Sequence, residues 1–281
     1  MKTRHLVVFG DSRRMDRVRD ESVHLVVTSP PYWRLKDYGQ NGGIGHGSES
    51  YEEYMHDICT VFRECVRTLV PDGKLVVNIM PILLTGKDSK FNRRVTRTVL
   101  TDLENFMASL ENMYFHSLYI WDKRKAVRFS SWGSYPYPPN ILSSYPYEWI
   151  IVFSKSGRRP PVDSSIKEAS KISHEEFTNW AQNSIWEFQP ASAKAEGHPA
   201  PFPEELPQRC IRLYSYVGDT VLDPFAGSGT TLASARRLGR NSIGYEINPE
   251  YEGLIRAKLG IKENWNNQAS FEVVLDDAKP K

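Results

Sequence analysis

The chain has 281 residues, 40% of them hydrophobic, enough to bury the core of one large α/β domain. Its formal charge of +2 neither demands nor excludes a polyanionic partner. No apolar run reaches the roughly 18 residues a membrane span requires, and the first residues lead straight into a strand, so a cytoplasmic protein without span or signal peptide is expected. Cys59, Cys65 and Cys210 form no Cys-x-x-Cys pair and read as reduced, buried thiols; no metal site is expected.

In chain order, apolar His5 to Phe9 followed by Gly10-Asp11 predicts a first strand and its turn. Val23 to Thr28 predicts a second strand, running directly into Thr28-Ser29-Pro30-Pro31-Tyr32-Trp33. After a glycine-rich loop at 38–47, Ser50 and Glu53 form a capping box. Tyr54, Ile58, Val61, Phe62, Cys65 and Leu69 then recur at helical spacing until Pro71-Asp72-Gly73 interrupts them. Residues 74–80 are the next strand. A basic stretch containing Lys87, Lys90, Arg93, Arg94 and Arg97 leads into a helix predicted over 95–112, and strands follow near 117–121 and 148–153. Residues 128–146, dense in Ser, Tyr, Trp, Pro and Gly, cannot propagate a helix and read as an exposed loop.

From 156 to 195 the periodicity fades while Ser, Pro and charge rise, which predicts an insertion outside the sheet. A helix opens at 202–206. Thr220 to Leu222 is a strand that runs into Asp223-Pro224-Phe225-Ala226-Gly227-Ser228-Gly229-Thr230-Thr231. Residues 230–238 are helical up to Gly239, residues 241–247 are a strand, and Asn248-Pro249 start a last helix that closes at Gly260. Residues 261–281 read as a polar, loosely held tail. The expected organisation is one domain in two halves, 1–155 and 196–260, interrupted by the insertion at 156–195.

Each motif follows a buried strand, at the carboxyl end where open α/β sheets bind their ligands. Gly227 and Gly229 let a ligand approach the backbone, and the helix that follows points free N–H groups at it. Glu246 lies 19 residues beyond Gly227, where a carboxylate accepts the hydroxyls of a ribose. Leu232 stands where a dinucleotide-binding turn has its third glycine, and no Gly-Lys-Ser/Thr follows, so a nucleoside without phosphates fits better than NAD or a nucleoside triphosphate.

The Gly10-Asp11 turn, Thr28 to Trp33, residues 148–155 and 198–203, Asp223 to Thr231 and Gly244-Tyr245-Glu246-Ile247-Asn248, in this order, resemble the β class of amino-methylating DNA methyltransferases. In that class the catalytic motif precedes the S-adenosylmethionine motif. The resemblance implies S-adenosylmethionine as cofactor, double-stranded DNA as partner and a doubly wound, mostly parallel α/β sheet in circularly reordered form, the cofactor strands arriving last in the chain yet lying beside the first. It also implies a restriction–modification context, with a cognate restriction endonuclease as a genetic rather than a physical partner. The implied cofactor residues are Phe225, Ala226, Gly227, Ser228, Gly229 and Thr230 around the methionine part and Glu246 at the ribose. Asp11, Phe202 and Pro203 fall to the adenine side or the methionine tail, and Thr28, Asp223 and Asn248 complete the set.

The exocyclic amine of a nucleobase is a poor nucleophile because its lone pair is delocalised into the ring. Acceptors on either side of the NH₂ group favour a pyramidal nitrogen, and the Ser29 hydroxyl and Pro30 carbonyl are the candidates, held stiffly by Pro30 and Pro31. Tyr32 would stack on a base rotated out of the duplex, with Trp33 extending that wall or belonging to the core. Asn78, ending the neighbouring strand, could orient Ser29. Serine at the first motif position is what N4-cytosine members usually carry, whereas aspartate or asparagine usually marks N6-adenine members. For DNA outside the pocket, Lys123, Arg124, Arg128, Arg158 and Arg159 are the expected phosphate contacts, and the insertion is expected to read base edges. N6-adenine methylation and a non-catalytic nucleoside- or DNA-binding module are the alternatives.

Overall fold

A computed structural model describes residues 2–33, 43–45, 50–87, 89–126, 133–191, 203–260 and 269–275. Its strands are β1 (Thr3–Phe9), β2 (Val23–Thr28), β3 (Leu69–Ile79), β4 (Ile82–Leu84), β5 (Val95–Arg97), β6 (Met113–Asp122), β7 (Tyr147–Lys155), β8 (Ile185–Glu187), β9 (Thr220–Asp223), β10 (Asn241–Glu246) and β11 (Ala269–Leu275). The helices are α1 (Tyr51–Thr68), α2 (Val99–Ala108), α3 (Ser164–Ala169), α4 (His174–Glu176, continuing as a π-helical turn over Phe177–Gln182), α5 (Glu205–Tyr214), α6 (Thr230–Arg237) and α7 (Glu252–Lys258), the last preceded by a 3-10 turn at Pro249–Tyr251. Nine strands form one sheet in the order β11-β1-β10-β9-β2-β3-β7-β6-β8; β4 and β5 form a separate hairpin.

Every pairing in the large sheet is parallel except the two made by β7. The late strands β9 and β10 sit between β1 and β2, which is the expected reordering. The carboxyl ends of β1, β10, β9, β2 and β3 therefore lie along one edge. Reversed β7 brings its first residues, Tyr147 and Glu148, to that same edge.

Successive residues of the central strands enter different cores, as a sheet covered on both faces requires. Val26, Leu75, Val77, Ile151 and Phe153 pack with Tyr54, Ile58 and Phe62 of α1. Their neighbours Leu25, Val27, Val76, Ile150 and Val152 pack with Leu206, Cys210 and Ile211 of α5. Among the described residues, no helix is long and apolar enough to cross a membrane.

Most elements fall where the sequence puts them, including the capping box, in which the Glu53 N–H donates to the Ser50 hydroxyl and the Ser50 N–H donates to the Glu53 carboxylate. Four expectations need correction. First, β3 begins at Leu69 rather than Lys74; Asp72 takes a φ of +64° and the β2–β3 register slips between Val23 and Leu25, so the Pro71-Asp72-Gly73 segment is absorbed as a bulge. Second, the helix expected over 95–112 is reduced to α2, because Val95–Arg97 pairs with Ile82–Leu84.

Third, the insertion does not stay outside the sheet. Its residues Ile185–Glu187 pair with β6 as the ninth strand, drawn in by Trp186. That indole is fully buried, stacks on Tyr119 at 4.5 Å and donates its N–H to the Trp180 carbonyl at 3.0 Å. Fourth, the tail is not wholly loose: Ala269–Leu275 pairs in parallel with β1, and Phe271 and Val273 pack on the core beneath it.

Candidate active site

Four segments reach the carboxyl edge and line one cavity: Gly10 to Ser12 after β1, Ser29 to Tyr32 after β2, Pro224 to Ser228 with Thr230 after β9, and Tyr245 to Asn248 at the end of β10, with Tyr251 beyond. The two sequence motifs thus share a pocket. Gly43 and Ile44 close one side of it.

The turn after β9 carries Gly227 at φ +51° and Gly229 at φ +82°, left-handed conformations that glycine adopts without strain. A Cβ on Gly229 would also stand 3.3 Å from Ile255 of α7, so this turn is packed from below. The Gly227 N–H donates to Glu246 Oε2 at 2.7 Å and the Asn248 N–H donates to Oε1 at 2.9 Å. Burial pushes the Glu246 carboxyl up to about 7, and those N–H donors hold it back from rising further. From α7, Lys258 donates to the hydroxyls of Ser228 at 2.8 Å and Thr230 at 2.7 Å.

Thr28 and Asp223 were expected at the cofactor, and the structure gives them to each other. The Thr28 hydroxyl donates to Asp223 Oδ1 at 2.7 Å, and the Phe225 N–H donates to the same oxygen at 3.1 Å. Both side chains are buried and neither lines the cavity. Burial lifts the Asp223 carboxyl to about 6 against these bonds. The pair joins the last residue of β2 to the last residue of β9, and so ties the two motifs together. Gly229 likewise stays behind the wall.

Asp11 lines the cavity while Arg13 holds it, the guanidinium donating to both carboxylate oxygens at 2.6–3.0 Å. Pro203 precedes α5, its carbonyl accepting the Leu206 N–H at 3.1 Å, and does not line the cavity. Phe202 and Arg128 lie outside the described residues.

At the corner after β2, Ser29 Oγ and the Tyr32 hydroxyl are 3.0 Å apart, and the Tyr32 hydroxyl donates to Glu148 Oε2 at 3.1 Å. Asn78 donates its Nδ2 to the same oxygen at 2.6 Å, and Lys123 pairs with Oε1. The Tyr54 hydroxyl donates to the Pro31 carbonyl at 3.0 Å, fixing the proline turn from α1. Asn78 therefore meets Ser29 only through Glu148 and Tyr32. Glu148 was missed as a site residue; the signal was a carboxylate near the start of the otherwise apolar β7.

Four residues expected to face DNA, Lys123, Trp33, Arg158 and Arg159, lie elsewhere. Lys123 is mostly buried in its ion pair with Glu148, behind the corner that follows β2. Trp33 is 4% exposed and packs edge-on against Tyr51 at 5.6 Å, which makes it core rather than an extension of a base-stacking wall. Arg159 pairs through both terminal guanidinium nitrogens with buried Asp219 and covers the Tyr216 ring at 4.8 Å. It and exposed Arg158 follow the carboxyl end of β7, at the edge opposite the cavity. Arg124 is exposed at the cavity edge, paired with Asp122.

The wall suits a cationic nucleoside. It carries two carboxylates, Asp11 and Glu246, and no Lys, Arg or His among the described lining residues, so nothing in it is built for phosphate. Phe225, Ile247, Pro30 and Ile44 supply apolar surface, and Gly227 admits a ligand close to the backbone.

Known proteins resemble the chain over most of its length. A family model described as DNA methylase, of the N6/N4 methyltransferase type, matches residues 23–257. The Type II methyltransferase M.MjaI of Methanocaldococcus jannaschii is 35% identical over 290 residues, covering 93% of each chain. TTHA0409 of Thermus thermophilus, assigned as a DNA modification methylase and crystallised with S-adenosyl-L-methionine, superposes with a TM-score of 0.76 at 32% identity over 98% of this chain and 99% of that one. The cytosine-N4-specific PvuII DNA methyltransferase shares the fold, with a TM-score of 0.65 at 22% identity over 97% of this chain and 96% of its own. The order of strands, the cavity shared by two motifs and these matches together make the chain a member of the N6/N4 family of DNA methylases.

Proposed function

We propose that the protein transfers a methyl group from S-adenosylmethionine to the N4 amine of a cytosine turned out of double-stranded DNA. The observation that carries this reading is the single cavity lined by both Ser29 to Tyr32 and Phe225 to Ser228, with Thr28 and Asp223 bonded behind it. S-adenosylmethionine, when bound, supplies an electrophilic methyl group on a cationic sulfur.

The chain's own groups do the rest. Glu246 accepts ribose hydroxyls, and the glycine turn with the start of α6 receives the amino-acid end. Pro30, Pro31 and the hydroxyl of Tyr54 hold Ser29 Oγ and the Pro30 carbonyl as fixed acceptors for the two amine hydrogens. That arrangement localises the nitrogen lone pair toward the cofactor side. Because the acceptors are already in place, little reorganisation accompanies charge development. The Tyr32 ring stacks on the base, contributing about 1–3 kcal/mol, comparable with the few kcal/mol needed to unstack it. The methylated nitrogen is cationic and acidic, so its proton leaves without a strong base.

Serine at position 29 supports cytosine over adenine. A cognate restriction endonuclease belongs to the same reading as a genetic partner. We assign the phosphate contacts to Arg124 and to the exposed Lys87, Lys90, Arg93 and Arg94 in the turn between β4 and β5, in place of Lys123, Arg158 and Arg159.

The test incubates the protein with DNA and labelled S-adenosylmethionine, then digests the DNA to nucleosides. Label in 4-methylcytosine is expected. Label in 6-methyladenine transfers the reading to adenine, and unlabelled DNA overturns it. Ser29→Ala is expected to abolish labelling while leaving the Kd for S-adenosylmethionine within about twofold, because Ser29 acts on the amine rather than on the cofactor.

A further inference from the structure

We propose that Glu148 is a positioning residue that sets the direction of the hydrogen bond between Tyr32 and Ser29, and thereby makes Ser29 a pure acceptor toward the substrate amine. The inference rests on the amino-methylation reading above but needs neither cytosine nor adenine in particular.

The argument is one of proton counting. Glu148 is 6% exposed and ion-paired with Lys123, so it is a carboxylate and can only accept. Its Oε2 takes the Asn78 amide N–H at 2.6 Å and the Tyr32 hydroxyl proton at 3.1 Å. Tyr32 has one proton, and that proton points at Glu148. Its oxygen therefore faces Ser29 Oγ, 3.0 Å away, as an acceptor, so the donor in that bond is the serine. The serine proton is thus committed, and Oγ keeps a lone pair for one N–H of the amine, the other going to the Pro30 carbonyl.

Without Glu148 the bond can run either way. In the reversed direction Tyr32 donates to Ser29, which occupies a serine lone pair and frees the serine proton to donate to the amine nitrogen. That donation would engage the very lone pair that must attack the methyl group. A polarity set by a buried carboxylate costs nothing at the moment of reaction, which is how preorganised sites gain their advantage.

Lys123 and Asn78 hold the carboxylate. The ion pair offsets the cost of burying the Glu148 charge, and the Asn78 amide can face a carboxylate only with its NH₂ group, which fixes the rotamer. Asn78 Oδ1 is buried without a hydrogen-bond partner among the described residues, so its side chain is not placed for its own satisfaction but for that of Glu148.

The experiment uses the full chain, cognate DNA and S-adenosylmethionine, with Tyr32→Phe, Glu148→Gln and the double variant. Tyr32→Phe keeps the stacking ring and deletes only the hydroxyl. Each single variant is expected to lower kcat about 10- to 100-fold, with the KM for DNA and the Kd for S-adenosylmethionine within about twofold. The double variant is expected to be no slower than the slower single one, since both changes act on one hydrogen bond. Unchanged kcat in Tyr32→Phe, or losses that multiply in the double variant, would overturn the proposal. If Glu148→Gln fails to fold, Tyr32→Phe alone decides. A wild-type protein that binds S-adenosylmethionine yet methylates no DNA overturns the functional reading and this inference with it. An active wild type with an equally active Tyr32→Phe overturns only the inference.

Discussion

Glu246 joins the end of β10 to the glycine turn, since its two oxygens accept N–H groups from Asn248 and Gly227. Burial lifts its carboxyl from the ordinary 4.5 to about 7 and that of Asp223 from 3.8 to about 6. Both folded values are raised, so the folded protein without cofactor holds protons that the unfolded chain has released. The stability they contribute is complete below about pH 4 and is lost as pH rises through 6 and 7. Ribose hydroxyls and a sulfonium favour the ionised carboxylate, so cofactor binding should expel the Glu246 proton. S-adenosylmethionine is therefore expected to bind more tightly at pH 8 than at pH 6. Glu246→Gln should weaken binding about 10- to 100-fold, as loss of hydrogen bonds to a charged group predicts, and flatten that pH dependence. Calorimetric titration at the two pH values checks both outcomes, and a wild-type affinity independent of pH would refute the assignment. At this scale the sequence was partly legible. The spacing of Gly227 and Glu246 reported a carboxylate that meets the glycine turn and lines the cavity, because a strand, a turn and a helix fix that distance. The bond between Thr28 and Asp223 and the pairing of Lys123 with Glu148 were not legible, because each joins residues that only the sheet order brings together.

The elements that were read correctly carry their own periodic signal. Helix α1 has a capping box and a continuous buried stripe, and β2 and β7 are near-continuous apolar runs. Those that were missed are short, or are stabilised by a partner rather than by their pattern. Strand β8 has three residues, two of them exposed, and exists because Trp186 fills a hole between Tyr119 and α5. Strand β11 alternates only weakly and is formed by pairing with β1. The dependence of β8 on one side chain makes it testable. Trp186→Ala removes a fully buried indole that stacks on Tyr119 and should cost about 3–5 kcal/mol. Trp186→Phe keeps a ring in the stack and loses the N–H bond to Trp180, so it should cost less. Denaturant midpoints read the ranking, and limited proteolysis of residues 156–191 should accelerate in the alanine variant. A Trp186→Ala protein as stable as wild type would mean that the segment is held by its ion pairs, such as that of Arg212 with Glu176, rather than by the indole.

Across the whole molecule, the reordered sheet gives the two edges different tasks. The carboxyl edge carries the cavity, the serine–proline corner after β2 and the base of the β4–β5 hairpin, which leaves β3 at Ile79 and is tied to α1 by the Arg97 guanidinium over the Tyr51 ring at 4.9 Å. The opposite edge receives the chain as it leaves β7, and there Arg159 is closed in by Asp219 and Tyr216. Basic residues are abundant at both edges, so composition could not say which cations face DNA; only the direction of β7 decides it. On the proposed reading, a base that enters the cavity comes from a duplex lying over the carboxyl edge, with its phosphates near Lys90, Arg93 and Arg94 and away from Arg158 and Arg159. Neutralising one phosphate-bound cation should reduce the slope of log K against log salt by about 0.9 for duplex DNA. Changing Lys90, Arg93 and Arg94 together to Gln is therefore expected to lower the slope by up to about 3, with kcat at saturating DNA largely kept, since these side chains touch the backbone and not the amine. Changing Arg158 and Arg159 to Gln should leave the slope as it is, although loss of the Asp219 pair should lower the melting temperature. Binding isotherms at several salt concentrations separate the two cases. A slope that falls with Arg158 and Arg159 and not with the hairpin would put the duplex on the far edge, where no target base could reach Ser29.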